Sequence, residues 1–380
     1  MDFDLSPEQE SFRAVVRDFA TREIAPHVAE WDQRGEFPTE VVGKMGDLGL
    51  FGLLVPEEFG GTGADFTTFC LAVEELGAVD SSMSITLSAG VGLGIGPILL
   101  FGTDAQRDRW LPDLAAGRAL SAFGLTEAGG GSDAGALRTR AVADGREWVI
   151  DGSKEFITNS GTSLTSVIIV AARTDDGIST FLVPTGTPGL TIGPAYRKMG
   201  WRASDTHALF FDNCRVPEDN LLGEPGRGFA QFMQILDGGR VAIAALALGL
   251  ARSCLDLCVA QANDRQAFGG PIARFQGVSF PLADLAARLA GARLLTYHAA
   301  WLKDQGRPFR QEAAIAKLQA TDLAVEAGRV ATQVFGGSGF LEETAVNRYY
   351  RDAKILEIGE GTNEIQRMVI ARGLGLRSER

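Results

Sequence analysis

The sequence contains few of the residues on which metal centres and disulfide frameworks depend. Its 380 residues include four cysteines without CxxC spacing, and the three histidines His27, His207 and His298 are far apart in the chain. These counts disfavour a metal centre and a disulfide scaffold, and they are typical of a chain kept reduced in the cytoplasm. Cys254 and Cys258 would share a helix face, where small buried thiols are more common than metal ligands.

Long basic runs and targeting segments are also missing. The formal net charge of −12 disfavours nucleic acid as a partner. The acidic N-terminus has neither the pattern of a secretory signal nor that of a transit peptide. The uncharged run 81–103 is long enough to span a bilayer, but it is rich in Ser, Thr and Gly and is broken by Pro97, while the apolar run 242–250 is too short. We therefore expect the longer run to be buried in the protein and no segment to span a membrane.

Hydrophobic periodicity divides the chain into three parts. Helical spacing begins after a capping box at Ser6 and Gln9. Further predicted helices span 39–48, 66–78, 84–100 and 103–116. Period-two alternation follows, with predicted strands at 141–152 (a hairpin), 167–171, 180–183, 190–192 and 208–211. Helical spacing then returns, with one long interruption at 267–276. This order predicts an α+β fold with an N-terminal helical domain (1–119), a central antiparallel β-domain (120–228) and a C-terminal helical bundle (229–380).

One acid, Glu360, lies in a break between two helical patterns. Gly359 and Gly361 flank it and allow a sharp turn, and Thr362 is a plausible N-cap for the next helix. A carboxylate with apolar neighbours suits a general base, because loss of solvation raises its pKa. The residues alone leave a solvated loop acid as the alternative.

A glycine-rich loop, residues 125–133, reads LTEAGGGSD. The spacing of Gly129, Gly131 and Ala134 nearly fits the dinucleotide fingerprint, but that fingerprint must open a helix, and a strand hairpin follows here. The glycines therefore indicate either a loop whose amides face a ligand or an ordinary turn capped by Ser132.

Three other segments are candidates for ligand binding. The pattern KEFITNS (154–160) is typical of an edge strand or of the wall of a cofactor site. The string DGGR (237–240) places an acid and Arg240 at the predicted start of a long helix. The helix dipole disfavours a cation at that end, so Arg240 needs a partner. The glycine-containing strings RQAFGGPI (265–272) and QVFGG (333–337) carry Arg and amide side chains that could bind a pyrophosphate or simply be solvated.

Taken in chain order, these strings resemble the signatures of the acyl-CoA dehydrogenase family, and the resemblance covers almost the whole chain. RDAKI-x(3)-GEGT-x-EIQR is similar to the C-terminal signature, LTEAGGGSD to LTEPGAGSD, and KEFITN to KxWITN. DxxR, RxAFGxPIxxFQ and QxFGGxGF are also family strings. Ala128 and Gly130 replace Pro and Ala of the family pattern, and Phe156 stands where Trp is usual.

The resemblance implies a FAD-dependent α,β-dehydrogenation of an acyl-CoA thioester to a trans-2-enoyl-CoA. Glu360 would remove the α-proton, and a hydride would pass to flavin N5 near Thr158. The family places FAD contacts at Leu125, Thr126, Ser132, Phe156, Ile157, Thr158, Arg265, Phe268, Gln276, Gln333, Gly336, Gly337, Thr362 and Glu364. It places substrate contacts at Ser132, Asp237, Arg240 and Gly361.

The family also implies partners. Residues of the RxAFG and QxFGG strings would reach the FAD of a neighbouring subunit in a homotetramer built as a dimer of dimers. An electron-transfer flavoprotein would accept the electrons, and fatty-acid β-oxidation would be the setting. An acyl-CoA oxidase and a non-catalytic flavin- or acyl-CoA-binding homologue are the alternatives. A serine hydrolase is disfavoured, since the sequence has no GxSxG motif.

Two positions bear on specificity. Isovaleryl-type and long-chain-type members place their catalytic Glu at position 239, which is glycine here, so the resemblance leaves Glu360 as the candidate base. The small side chains of 84–96 are expected to line the acyl pocket and could admit a long, branched or cyclic tail. Residues 80–83 lack the Arg that would hold a second carboxylate, which disfavours dicarboxylic substrates.

Overall fold

The computed structural model describes residues 4–376. Its first part is helical, and Ser6 and Gln9 form the predicted capping box, with Gln9 N donating to Ser6 Oγ at 3.2 Å. The α-helices of this part are α1 (Pro7–Phe19), α2 (Val28–Arg34), α3 (Thr39–Asp47), α4 (Phe66–Val79), α5 (Ser81–Ser88), α6 (Gly96–Phe101) and α7 (Asp104–Ala115). π-Helical turns at Ala20–Ile24 and Ala89–Ile95 continue α1 and join α5 to α6. The helices predicted from periodicity are confirmed here.

Residues 84–96, which form a second glycine-rich segment, approach their neighbours closely. A Cβ on Gly94 would lie 1.9 Å from Ser121 Oγ, and one on Gly90 would lie 3.0 Å from the Phe51 ring. The stretch Ser81–Phe101 and the later helix Gly228–Asp264 are each long and apolar enough to cross a membrane, but 67% and 72% of their most apolar windows are buried inside the fold. Both are core helices of this structure, and the second is longer than its apolar sequence run suggested.

The central part is one mixed sheet. Its strands are β1 (Leu120–Gly124), β2 (Arg140–Asp144), β3 (Glu147–Thr158), β4 (Thr165–Thr174), β5 (Gly177–Pro184), β6 (Leu190–Ile192), β7 (Thr206–Pro217) and β8 (Leu221–Leu222), in the order β6-β7-β3-β2-β4-β5-β8 with β1 beside β4. Most pairs are antiparallel as predicted, but β1 runs parallel to β4, and β2 meets β4 in one parallel pair. The expectation of a purely antiparallel domain is therefore wrong at β4.

Strand β4 explains how the sheet joins the helices. Val167, Ile169 and Ala171 pack into the core shared with the helices, whereas the intervening Ile168 and Val170 pack into a second core within the sheet. Alternate side chains of a strand point to opposite faces, so a strand buried on both faces reads as a continuous apolar run.

Strand β3 extends further than the sequence predicted. The predicted hairpin ended at 152, but β3 continues to Thr158 with an irregular register at Gly152, whose φ is 144°. A Cβ there would lie 2.6 Å from Thr139 Oγ1, so only glycine lets the strand pass this point.

The last part is a helical bundle. It contains α8 (Gly228–Asp264), α9 (Gln276–Asp304), α10 (Arg310–Phe335), α11 (Ala345–Leu356) and α12 (Asn363–Gly373), and a small hairpin of β9 (Gln266–Ala267) and β10 (Gly270–Pro271) joins α8 to α9. Besides the predicted break at 267–276, a second break at 336–344 separates α10 from α11. Helix α10 packs against α8, α9, α11 and α12 and is the centre of the bundle.

Two consecutive residues of α11 fasten the sheet to the bundle. Asp352 accepts a hydrogen bond from the backbone N–H of Trp201 at 2.7 Å, and Arg351 donates to the carbonyl of Met199 at 2.9 Å and to Asp32 at 2.5 Å. Met199 and Trp201 belong to the loop between β6 and β7, residues 193–205. These bonds fix the position of that loop relative to α11, the helix that leads to Glu360.

Candidate active site

Glu360 occupies a strained turn between α11 and α12. Its φ is +52° and that of Gly361 is +91°, a left-handed pair that reverses the chain sharply. Thr362 caps α12 by accepting from Ile365 N at 3.3 Å, as predicted. Within the described residues, the backbone N–H of Glu360 bonds to no other group. That amide is free to bind a ligand beside the carboxylate.

The Glu360 carboxylate is enclosed by protein. Both of its oxygens are buried without a hydrogen-bond partner among the described residues, although residues 359–362 as a whole are partly exposed. Burial raises the pKa of Glu360 to about 7, and the charges of Lys317 and Arg240 act in the opposite direction. The solvated-loop alternative is therefore wrong, and the environment is the one that a general base near neutral pH requires.

Gly239 of α8 supplies the space that the carboxylate occupies. A Cβ on Gly239 would lie 1.9 Å from Glu360 Oε2 and 3.5 Å from Leu93 Cδ2. Helix α8, the π-helical turn of the glycine-rich segment and the α11–α12 turn therefore meet at Glu360. Any side chain at position 239 would compete with this carboxylate for the same space.

Arg240 lies in the interior of α8, not at its start. The helix begins at Gly228, so Asp237 and Arg240 lie more than two turns inside it, beyond the first turn where the helix dipole acts. Arg240 is 3% exposed and pairs with Asp237, which supplies the partner it needed. Arg240 Nε is buried and unpaired. The pair provides a buried polar group close to Glu360.

A second group of residues forms around the glycine-rich loop. Glu155 N donates to Thr126 O at 2.9 Å, which places the loop beside β3. Lys154 Nζ is fully buried and donates to Glu127 Oε1 at 2.7 Å and to Leu125 O at 3.2 Å. Glu127 also accepts from the backbone N–H groups of Arg138 and Thr139 at 2.6 and 3.0 Å. Its pKa falls to about 2 because these donors outweigh its burial.

Sequence reasoning assigned no role to Glu127 or Lys154. Their opposite charges were the signal that could have indicated this ion pair, since Glu127 lies in the glycine-rich loop and Lys154 on the strand that was predicted to follow it. The ion pair now fixes the loop whose amides were proposed to face a ligand. In that loop, as far as the structure describes it, Gly130 alone donates to a carbonyl of the same loop, Glu127 O at 3.1 Å.

We predict that Lys154→Met weakens cofactor retention and destabilises the protein. The substitution leaves Glu127 without its cation, and breaking a buried pair costs about 3 kcal/mol or more. The ratio of flavin absorbance to protein absorbance after gel filtration should fall several-fold, and the free energy of unfolding should fall with it. Lys198→Met is the matched control, because the one hydrogen bond of Lys198 within the described part of the chain goes to Ser204 O at 2.7 Å, outside this loop. Equal flavin content in both variants would contradict the role given to Lys154.

The wall beyond the loop is formed by the end of β3. The Phe156 ring is 65% exposed on a left-handed residue (φ 61°), and Thr158 is partly exposed. Ile157 is 2% exposed and packs in the core of the sheet, so only its backbone can contact a ligand. The next residue, Asn159, is buried and donates to Thr86 O at 3.1 Å, while its Oδ1 has no partner.

The segment 86–95 connects the two groups of residues. At one end it bonds to Asn159 through the Thr86 carbonyl, and near the other end Leu93 lies beside Gly239 and Glu360. Segment 86–95 therefore links the wall formed by Phe156 and Thr158 to the buried carboxylate of Glu360. A flavin was predicted to bind at the first of these and a thioester at the second.

The residues present fit a flavin. The loop at 126–133 offers free backbone amides, Phe156 offers an exposed aromatic side chain, and Asn159 Oδ1 is a buried acceptor without a donor among the described residues. Ring nitrogens, carbonyls and phosphates of a flavin need such donors, acceptors and walls. Thr126, Phe156 and Thr158 would hold the isoalloxazine, and the amides and hydroxyl near Ser132 could take a phosphate.

Two of the remaining predicted cofactor residues, Arg265 and Gln333, lie far from Glu360 in the same chain. Arg265 follows Arg240 by 25 residues along α8, about 37 Å. Gln333 follows Lys317 by 16 residues along α10, about 24 Å. Phe268 is 90% exposed. The other exposed members of this set are Arg265, Gln276, Gln333, Gly336 and Gly337. One chain does not bring Arg265 and Gln333 to its own Glu360.

Three predicted residues have other surroundings. Thr362 acts as a helix cap, and Glu364 is exposed in the first turn of α12, where backbone and Thr362 hydrogen bonds lower its pKa. Ser132 lies exposed in the glycine-rich loop. Glu364 faces solvent in the single chain, so it could contact a cofactor only at a surface.

Comparison with known proteins agrees with this architecture. Residues 6–118, 122–214 and 226–375 match the models for the N-terminal, middle and C-terminal domains of acyl-CoA dehydrogenase. The probable acyl-CoA dehydrogenase YngJ of Bacillus subtilis is 50% identical over 378 residues, 98% of this chain and 100% of the relative.

Two solved structures have the same fold. Butyryl-CoA dehydrogenase from Megasphaera elsdenii matches with a TM-score of 0.96 and 43% identity, over 98% of this chain and 100% of that chain. A chain from a structure of the electron transferring flavoprotein of Acidaminococcus fermentans matches with a TM-score of 0.96 and 43% identity, over 100% of both chains. The predicted α+β fold and family are confirmed: this chain belongs to the acyl-CoA dehydrogenase family, the FAD-dependent enzymes that dehydrogenate acyl-CoA thioesters.

Proposed function

We propose that Glu360 is the base that removes the α-proton of the acyl thioester. The observation that carries this proposal is that, within residues 4–376, both carboxylate oxygens are buried without a hydrogen-bond partner and the amide of the same residue is free. A carboxylate in this state has a raised proton affinity and an unused lone pair directed into the protein. Gly239 leaves it the space to reach a ligand.

The same residue can polarise the substrate. Removing an α-proton places negative charge on the thioester carbonyl oxygen, and a donor positioned at that oxygen lowers the barrier. The free N–H of Glu360 is such a donor, and Gly361 lets the ligand lie close to the main chain. FAD, when bound, supplies the acceptor for the hydride that leaves the β-carbon. Arg240 and Asp237 keep the surroundings of the carboxylate ordered.

Exchange of the α-protons with solvent tests this role without the redox step. The acyl group of 3,3-dimethylbutanoyl-CoA has α-protons but no β-hydrogen, so only proton removal can occur. We expect the wild-type holoenzyme in D₂O to incorporate deuterium at the α-carbon, and Glu360→Gln to incorporate about 10²-fold less. Mass spectrometry of the recovered thioester measures both. Unchanged exchange in the variant would refute the assignment.

We propose short-chain acyl-CoA as the substrate class. The butyryl-CoA dehydrogenase relative supports this choice. Leu93 lies against the Glu360 site, and a Cβ on Gly96 would already lie 3.4 Å from Ile235 Cδ1, so apolar side chains close in on the glycine-rich segment. A panel of acyl-CoAs of increasing length and branching, assayed with an artificial electron acceptor, should give the highest kcat/KM at four to six carbons. A maximum at long chains would contradict it.

We propose an electron-transfer flavoprotein as the electron acceptor, on the likeness to the Acidaminococcus fermentans structure. The oxidase alternative makes a different prediction: substrate-reduced flavin would reoxidise quickly in air with product bound. Stopped-flow reoxidation by air, compared with reoxidation by an added electron-transfer flavoprotein, separates the two. Rapid decay in air alone would favour the oxidase.

We further propose that a second copy of the chain completes the cofactor site, within the homotetramer that the sequence predicted. The support is the distance of Arg265 and Gln333 from their own Glu360, together with exposed apolar side chains that follow each of them in the chain. These side chains are Phe268, Phe275, Phe280, Phe340 and Leu341, with exposures from 36% to 90%. Exposed apolar surface of this kind is typical of a subunit interface.

We predict that Phe268→Asp lowers both subunit association and flavin content. A charge in place of a 90% exposed ring removes apolar contact area and would have to be desolvated at an interface. Light scattering coupled to gel filtration should show smaller species with several-fold less flavin per chain. Val15→Asp, on α1, is the control for an added surface charge at a half-exposed apolar position. A fully associated, fully flavinated Phe268→Asp protein would contradict the prediction.

A further inference from the structure

Lys317 belongs to none of the motifs that the sequence singled out, yet its ammonium group is buried beside the catalytic turn. It lies on α10 and is 0% exposed. Its Nζ donates to the carbonyl of Gly361 at 3.0 Å and to Asn363 Oδ1 at 2.9 Å. A buried lysine is rare unless it is paired. This one is bonded to the residue that directly follows Glu360.

The partners of Lys317 are themselves fixed. Asn363 Oδ1 also accepts from Thr321 Oγ1 at 3.1 Å, and Asn363 Nδ2 donates to Asp322 Oδ1 at 2.7 Å. The Gly361 carbonyl accepts a second bond, from Gln366 Nε2 at 2.7 Å. Side chains of α10 and α12 therefore hold the left-handed turn through the Gly361 carbonyl, and none of these bonds uses the Glu360 amide or carboxylate.

Charge connects Lys317 to Glu360 as well. Burial lowers the pKa of Lys317 to about 8 and raises that of Glu360 to about 7, and each group favours the charged form of the other. The other charged groups that face Lys317 are Asp322 on its own helix, Arg240 on α8 and Glu357 at the end of α11. Arg240 is committed to Asp237. Lys317 contributes more than Arg240 to the ionisation of Glu360.

We propose that Lys317 is a positioning residue for the reaction: its ammonium group holds the Glu360–Gly361 turn through the Gly361 carbonyl, and its charge keeps the buried carboxylate ionised. The inference rests on the proposed role of Glu360 as the base. Without Lys317, Glu360 would stay protonated to higher pH and would be less often available to accept a proton. The turn would also lose one of the two donors to its carbonyl.

The test uses Lys317→Met, Lys317→Gln and Lys317→Arg in the holoenzyme. We follow α-proton exchange with 3,3-dimethylbutanoyl-CoA and kcat/KM with butanoyl-CoA from pH 5.5 to 9. Both neutral variants should shift the rising limb of the profile up by about one pH unit, which lowers activity about tenfold at pH 6. Lys317→Arg should keep the wild-type midpoint. Glutamine can still donate to the Gly361 carbonyl, so it separates the charge from the hydrogen bond.

Thr321→Val is the matched control, because it removes a bond to Asn363 and leaves the charge in place. Its midpoint should match that of the wild type. Flavin content and thermal unfolding are measured for every variant, and if Lys317→Met does not fold, Lys317→Gln carries the test. A midpoint within 0.2 pH units of the wild type in folded neutral variants, or an equal shift in Thr321→Val, would overturn the inference. Failure of the Glu360 proposal is distinct, because wild type and Glu360→Gln would then exchange α-protons equally.

Discussion

Replacing Glu360 with glutamine is expected to lower turnover of an acyl-CoA by about 10³-fold while the protein keeps its yellow colour. Glutamine has nearly the same shape but cannot accept the α-proton, and general-base catalysis contributes about 10² to 10⁴ in rate. The backbone N–H of residue 360 remains, so substrate binding should persist. Steady-state assays with an artificial acceptor, flavin spectra and titration with product measure the three quantities.

The matched control is Glu357→Gln, one turn earlier at the end of α11. Glu357 is paired with Lys354 near the surface, at 2.5 Å, and its loss should leave turnover within a factor of a few. Loss of flavin together with turnover in Glu360→Gln would indicate a damaged pocket. A variant that turned over normally would show that another group takes the proton.

The same substitution should change how stability depends on pH. The pKa of Glu360 is about 7 in the folded protein, above its value in the unfolded chain. Between about pH 4.5 and 7 the folded state therefore holds a proton that the unfolded state has released, and the free energy of unfolding falls as the pH rises. Glutamine removes this dependence. Urea unfolding measures the effect: between pH 5 and pH 8, we expect the free energy of unfolding of the variant to rise by on the order of 2 kcal/mol relative to that of the wild type.

Gly239→Ala is expected to lower turnover by about 10²-fold with little loss of stability. The new Cβ would lie 1.9 Å from Glu360 Oε2, and the end of a flexible side chain can move more easily than the two helices. The carboxylate would be displaced from its cavity, and a base displaced by 1 Å loses much of its effect. Alanine within a helix is favoured over glycine by about 0.5–1 kcal/mol, which offsets part of the steric cost.

Gly291→Ala provides the comparison. Gly291 also lies inside a long helix, α9, but nothing lies within 4 Å of the position of its Cβ. We expect this variant to be as active as the wild type and slightly more stable, by about 0.5 kcal/mol. Kinetics and thermal unfolding of the two variants side by side isolate the contact with Glu360. Full activity in Gly239→Ala would mean that the carboxylate does not use the space at residue 239 during turnover.

Several features of the fold could be predicted because they depend on neighbours in sequence. The capping box at Ser6, the helix cap at Thr362 and the continuous apolar run of β4 are local patterns with local causes. The location of Asp237 and Arg240 in the interior of a helix could not be predicted, because α8 begins earlier than expected, at Gly228. A glycine and two aromatic residues at its start gave no clear capping signal, and tertiary packing extended the helix over them.

The pairings that assemble the site depend on residues far apart in the chain. Lys154 with Glu127, Asn363 with Lys317, and the contact of Gly239 with Glu360 join residues separated by 27, 46 and 121 positions. A one-dimensional pattern carries no information on which of these side chains meet. Their burial decides their chemistry, since the same carboxylate in water would be an ordinary acid.

By itself the sequence determined the order of helices and strands, the family and the identity of Glu360 as the candidate base, because these follow from local spacing and short strings. Only the tertiary structure decided that both oxygens of that carboxylate are buried, that Gly239 makes room for them and that a lysine from α10 lies behind the turn. The physical reason is that solvation and charge are properties of a residue's surroundings in space, and packing from three helices sets them here.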